Sequence, residues 1–283
     1  MPQLEALPPL DALDLMREVD DALPPLLRGL EPEDWDRRAV GIWSVRDVAA
    51  HLLDTALRRL SLDRDRHRPP IPRGKDLAQW RDLVAFLNDL NAVWVQSTAR
   101  LSPRVLIDLL EWVDPRVHEY LASLDPEGEA AFPVAWAGEA SSRVWMDVAR
   151  EFTERWHHQQ QIREAVGAPW IDQPKYVRPL LDTLIRALVR AYEATEAPQG
   201  TSVRVATIGL EGAVWRLACG EEGWGVYVEP PDLEPEATIE LPAETAWRLF
   251  IKGISGDQAR GHATTSGPGE LTDPFFSTLA VMA

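Results

Sequence analysis

The chain has one cysteine in 283 residues, Cys219. That excludes an intrachain disulfide and any pair of thiolates clamping a structural zinc, and it fits a reducing, cytoplasmic setting. Basic residues are also scarce: 29 Lys and Arg stand against 45 Asp and Glu, for a formal charge of −16. Such a surface repels phosphate backbones and anionic lipid. With no sizeable basic patch in the chain, neither nucleic acid nor a membrane surface is an expected partner. No apolar run approaches the ~18 residues of a membrane span. The amino-terminal stretch MPQLEALPPLDALDLM lacks the basic and apolar regions of a secretory signal. Internal repeats and low-complexity tracts are absent. Aromatics are few except in one kind: 4 Tyr and 6 Phe accompany 12 Trp.

What is present is enough to fold. The hydrophobic share of 45% supplies a sizeable core, and the length exceeds the ~100–200 residues of a usual domain, so two folding units are expected. The first two thirds read as helices. Apolar residues at helical spacing run from Leu10 to Leu30, with Pro24-Pro25 set to kink or break the helix. Ser44 stands as an N-cap with Asp47 three residues on, ahead of a stripe from Val45 to about Leu60. A polar, Pro-rich break, DRDRHRPPIPRG, separates this from helices expected over Leu77–Leu101, Ser102–Leu124, Arg143–Val166 and Pro174–Thr195. At EATEAPQG the character changes. Beyond it Ser202–Leu210, Ala213–Ala218, Gly225–Glu229 and Thr238–Leu241 read as strands, Pro242 opens a helix, and TDPFFSTLAVMA suggests another. The expected organisation is a helical bundle over residues 1–195 and a small α+β domain over residues 200–283.

The informative segment is EFTERWHHQQQIREAVG. Glu154 and His158 are four residues apart and share one helix face with Gln161, Ile162 and Ala165. A carboxylate and an imidazole so placed can hold one divalent metal, whose third ligand must come from elsewhere. His51, in mid-helix beside an apolar stripe, is the best candidate. Spacing alone leaves other readings open. A Glu/His pair on a helix is commonly a solvated pair, and a histidine beside a core commonly bonds to backbone. His157, three residues from Glu154, competes with His158.

Two motifs narrow the choice. GIWSVRDVAAHL at 41–52 and Glu-x-x-x-His-x-x-x-Ile at 154–162 resemble the mycothiol-dependent maleylpyruvate isomerase family, part of the wider DinB-like superfamily of metal-binding four-helix bundles. HQQQI at 158–162 aligns with the His and Gln-Ile positions of the DinB-like late helix, Glu154 replacing its first His. The resemblance implies His51, Glu154 and His158 as metal ligands and covers roughly residues 10–195. The carboxy-terminal stretch from ATIELPAETAWRLF to FFSTLAVM resembles the sterol carrier protein type two domain, which implies either an apolar ligand or simple packing on the bundle.

The same resemblance implies a divalent ion, zinc before nickel or iron, and a low-molecular-weight thiol such as mycothiol that adds to a small electrophile, as in a transferase or isomerase. Arg46 and Arg163 lie near the ligand helices and are the candidate cations for the developing negative charge. A metal that lowers a thiol pKa from ~8.5 to ~6.5 raises its thiolate fraction at neutral pH ~25-fold. The lost nucleophilicity returns ~8-fold of that gain, so most of the catalysis must come from holding thiol and electrophile together. A non-catalytic carrier of apolar ligands and a metal-dependent hydrolase are the alternatives. The HHQQQ run and the DRDRHRPPIPRG insertion depart from the isomerases, so thiol and substrate stay open, as does pairing of chains through helices. Cys219, on an expected strand, reads as a small buried hydrophobe. Trp43, Trp136, Trp145 and Trp156 cluster around the two ligand helices. They read as core, or as walls that limit water in a metal pocket.

Overall fold

The computed structural model describes residues 4–68 and 80–280. Helices dominate the first part of the chain and a sheet the last. Contact density divides it into two compact units: Met1–Leu10, Phe132–Arg150 and Asp172–Val281 form one, while the other is mainly Asp11–Ala131 and Glu151–Ile171.

The second of these units is helical. It contains α1 (Leu13–Arg28), a short hairpin of β1 (Arg38–Val40) and β2 (Trp43–Ser44), α2 (Val45–Arg58), α3 (Trp80–Thr98) and α4 (Pro103–Ala122). It also takes the residues of α5 (Val144–Val166) from Glu151 onward. Met16, Val19, Leu23 and Leu27 of α1 recur at helical spacing and are all buried, as are Val48, Leu52 and Leu53 of α2 and Leu110, Val113 and Val117 of α4. Trp94 of α3 donates its indole N–H to the Ala50 carbonyl at 2.7 Å, which fastens α3 to α2. Gln159 of α5 donates to the Val19 carbonyl of α1 at 2.6 Å.

Charges are buried in this core. Arg155 of α5, 2% exposed, faces Asp20 of α1 at 3.3 Å and Asp114 of α4 at 3.4 Å. Asp20 also meets His118 Nε2 at 2.8 Å, and Arg59, just after α2, bonds Glu151 of α5 at 2.8 Å. Buried ionisable residues of α1, α4 and α5 thus find their partners on other elements.

The other unit is built on a five-stranded sheet. After α6 (Pro174–Leu184) and α7 (Leu188–Ala191) come β3 (Ser202–Ile208), β4 (Val214–Gly220), β5 (Gly223–Val228), β6 (Ala237–Pro242), α8 (Ala243–Phe250), α9 (Gly256–Arg260), β7 (Thr264–Ser266) and α10 (Gly269–Thr272). The strand order is β5-β4-β3-β6-β7. β3 and β6 run parallel and every other pair antiparallel. Alternate residues Val203 and Val205, Trp215 and Leu217, and Ile239 and Leu241 are buried on one face. Cys219 sits on β4 opposite Trp224, half-buried, as its small apolar character suggests.

Several expectations change. α1 continues through Pro24-Pro25 to Arg28; the prolines fall in its last turns, so few backbone bonds are lost. α2 passes into a wide π-helical stretch, Arg59–Arg64, so the helical path enters the expected break. The remainder of that break, from residue 69, and the expected helix start at 77–79 lie outside the described residues. The helix read over Pro174–Thr195 is interrupted by a 3-10 turn at Ile185–Ala187. The expected terminal helix is one 3-10 turn, Pro274–Ser277, with 278–280 non-helical and 281–283 outside the described residues.

The compact units also do not divide at residues 196–199. α6 and α7 belong with the sheet: Trp215 of β4 donates to Asp182 of α6 at 2.7 Å, and Tyr192 donates to the Leu271 carbonyl at 2.6 Å. A composition change marks where the strands begin. It does not mark which helices cover them.

Candidate metal centre

Local sequence sets up the first ligand helix. The Ser44 hydroxyl accepts the Asp47 backbone N–H at 3.3 Å, and the Asp47 carboxylate accepts that of Ser44 at 2.9 Å. This capping box fixes where α2 starts, and so which face carries His51, two turns on. His51 is 5% exposed. On α5 the four-residue spacing stacks Glu154 and His158 on one face.

The two helices bring the three side chains together. His51 Nε2 lies 3.2 Å and His158 Nε2 3.3 Å from the same atom, Glu154 Oε1. One donor atom from each residue falls within 4.8 Å of the others. The two imidazoles meet edge to face with centroids 4.8 Å apart, and the Trp43 ring covers His51 at 5.1 Å. Burial lowers the His51 pKa, which favours the neutral ring a metal needs. Burial alone would raise the Glu154 carboxyl, yet hydrogen bonds from His158 and His51 outweigh it and hold the group well below the usual carboxylate range.

His157 does not join the cluster. Its Nδ1 donates to the Thr153 carbonyl at 2.8 Å, and burial, helped by the charge of His158, lowers its pKa to about 3. It is a neutral, satisfied core histidine.

The donor set fits a divalent ion. Tetrahedral ligands about 2.0 Å from zinc sit roughly 3.3 Å apart, the separation found for both histidines from Glu154. The His158 Nδ1 lies 2.8 Å from Gln161 Oε1.

Arg46 and Arg163 are engaged elsewhere. The Arg46 guanidinium donates to the carbonyls of Thr98 at 3.3 Å and Ala99 at 3.1 Å and to that of Leu101, closing the carboxy-terminal end of α3. Arg163 bonds Gln159 Oε1 at 2.9 Å and the Pro169 carbonyl at 2.7 Å. Trp156 is 1% exposed and donates to the Ile171 carbonyl at 2.8 Å, as a core residue does. Trp136 is 2% exposed, in the core of the sheet-containing unit. Sequence reasoning missed the buried set Asp20, Asp114, His118, Glu151, Arg155 and Arg59. An Asp inside the apolar stripe of α1 was its one visible signal.

A helical region followed by a sheet region is an architecture that solved structures share. No family model matches the chain. No curated protein matches it either. Among solved structures it is similar to a mycothiol-dependent maleylpyruvate isomerase, with a TM-score of 0.53 and 14% identity over 90% of this chain and 92% of that one. A histidine-to-alanine mutant of that isomerase gives a TM-score of 0.52 at the same identity and coverage. At this identity the likeness is one of fold. Among the described residues no helix is long and apolar enough to cross a membrane.

Proposed function

We propose that the chain is a metal-dependent enzyme that adds a low-molecular-weight thiol to a small electrophile, or uses that addition to isomerise it, with His51, Glu154 and His158 as the metal ligands. The observation that carries this reading is the convergence of two Nε2 atoms on one carboxylate oxygen, at 3.2 and 3.3 Å, inside a fold like that of a mycothiol-dependent isomerase. In this reading the helical region is a DinB-like four-helix bundle and the sheet region a sterol-carrier-like domain. The compartment is the cytoplasm. Zinc suits two neutral imidazoles and one carboxylate. When bound, such an ion supplies a Lewis acid that lowers the pKa of a thiol at an open position.

The chain's own residues do the rest. Glu154 stays ionised and gives the site its one negative ligand. His51 and His158 bind as neutral rings. Trp43 lies against His51 and keeps water from that side. Arg46 and Arg163 fix the helix ends and the loop beside the site, while recognition of the electrophile falls to other groups.

Metal analysis of protein purified without chelator tests the ligand set. About one equivalent is expected in wild type and little in His51→Ala, and equal, near-zero metal in both defeats the reading. Thiol consumption with a panel of electrophiles, with and without added zinc, tests the chemistry. Metal-dependent turnover that needs no thiol would favour a hydrolase instead.

A further inference from the structure

We propose that Arg58 is the cation that binds an anionic oxygen of the electrophile beside the cluster of His51, Glu154 and His158, and so selects electrophiles that carry a carboxylate. The proposal rests on the reading of that cluster as the site of chemistry. Arg58 stands seven residues beyond His51 on α2, two turns on and on the same face. Helical side chains lean toward the amino-terminal end of their helix, and Arg58 does so: its Nε lies 3.0 Å from Asp54 Oδ2, one turn back toward His51. Its Nη2 donates to Asn91 Oδ1 of α3 at 3.2 Å. These two contacts hold the guanidinium over the turn that follows His51, and its charge is felt at His51.

The group is held but not filled. Its buried Nε–H is out of line for a hydrogen bond to Asp54, and Nη1 has no partner among the described residues. The Arg58 side chain is 25% exposed and that of Glu154 27%, so a dissolved molecule can reach both. Neighbouring arginines lack this freedom. Arg59 is 4% exposed and bonds Asp63 and Glu151, and Arg155 is buried against Asp20 and Asp114. Arg58 thus keeps N–H donors for a carboxylate, the partner that a guanidinium matches best. When a thiolate sulfur bonds to the carbon β to that carboxylate, the displaced π pair moves toward the carboxylate oxygens. A donor there strengthens as the charge builds and relaxes when the α carbon takes a proton from water or the C–S bond breaks again.

The test uses the full chain and two pairs of probes, each pair alike except for one carboxylate. Monomethyl succinate and dimethyl succinate do not react with thiols, and NMR titration of the metal-free protein measures their binding with no ion to compete for the anion. Wild type should prefer the monoester. Arg58→Met should bind it about 10- to 100-fold more weakly, with diester affinity unchanged. Arg58→Lys should fall between the two, because it keeps the charge without the fork, and Arg17→Met, which removes an exposed charge facing Asp14, should match wild type. With zinc-loaded protein and mycothiol, turnover of monomethyl fumarate should drop about 100-fold in Arg58→Met and that of dimethyl fumarate by only a few-fold. Circular dichroism checks folding, and if Arg58→Met does not fold, Arg58→Gln, which can still donate to Asn91, takes its place. Equal affinity of wild type for the two succinates overturns the proposal, as does unchanged monoester affinity in a folded variant. Metal analysis of the same proteins keeps the two readings apart: absence of metal from wild type defeats the metal centre, while the succinate titrations still decide the role of Arg58.

Discussion

Replacing Asp114 with Asn should remove a large pH dependence from the stability of the helical unit. Asp114 shares Arg155 with Asp20 at 3.4 and 3.3 Å, while Glu151 is matched by Arg59 at 2.8 Å. His118 faces Asp20 from α4, and Asp21 adds its charge from α1. The Arg155 guanidinium thus faces three buried carboxylates, the third being Glu151 at 3.8 Å. Burial first, then the negative charge of Asp20, push the Asp114 pKa from 3.8 up to about 8 against the pull of Arg155. The folded state therefore binds a proton that the unfolded chain releases above about pH 4. Stability must fall as pH rises through that window, by about 1.4 kcal/mol per unit. Between about pH 5 and pH 8 the loss comes to about 4 kcal/mol, a large part of the usual 5–15 kcal/mol. Asn has nearly the same shape, cannot ionise, and still offers an oxygen to Arg155. Urea denaturation followed by far-UV circular dichroism should show the wild-type midpoint falling steeply toward pH 8 while that of Asp114→Asn stays flatter. Parallel curves for the two proteins would refute the argument.

Other outcomes follow from the same structure. His157→Gln should keep its metal and lose about 1–2 kcal/mol of stability with the Thr153 bond, whereas His158→Gln should lose the metal; equal loss in both would make His157 a ligand after all. Trp156→Leu should cost about 3 kcal/mol, because it leaves a void and removes one of the two donors to the Ile171 carbonyl, with metal content unchanged in the folded fraction. Trp43→Leu, at a ring packed on His51, should alter turnover more than metal content, and a stability change alone would return Trp43 to the core. Arg46→Met should lower the melting temperature by a few degrees as the carbonyls of Thr98, Ala99 and Leu101 lose their donor, and turnover of the folded protein should not move. A selective loss of turnover would restore Arg46 as a catalytic cation.

Local signals were readable from the sequence and long-range choices were not. The Ser44/Asp47 box, the strand positions and the shared face of Glu154 and His158 all follow from periods of two or 3.6 and from capping chemistry. The pairing of His51 with Glu154 spans about a hundred residues; its place beside an apolar stripe made His51 a candidate, and the resemblance carried by the two motifs singled it out. Periodicity favours His158 over His157 only slightly, because three and four residues along a helix both lie near Glu154. What separates them is a backbone carbonyl, that of Thr153, which takes the Nδ1 of His157. Nothing local marks Arg155, next to Glu154, as a buried cation. Its burial depends on Asp20 and Asp114 arriving from two other helices. The arginines expected at the site were drawn to open carbonyls at a helix end and in a loop, where a five-donor side chain finds more partners than beside a cluster of neutral rings.

The buried charges bear on what kind of metal site the proposed ligands would form. A structural ion supplies folding energy that the chain lacks, and its removal unfolds the protein. Here the two ligand helices are already registered by a contact that involves no ligand: Arg59, eight residues beyond His51, bonds Glu151, three residues before Glu154. α1 and α4 grip the next residue of α5, Arg155, from the opposite side, through Asp20 and Asp114. The position of Glu154 is therefore set by its neighbours at 151 and 155, with Met16, Val19, Leu52, Leu53, Leu110 and Val113 supplying an apolar core around them. Helices registered by these contacts would not need an ion for folding, and in the proposed reading its binding energy would act on whatever occupies the remaining coordination positions.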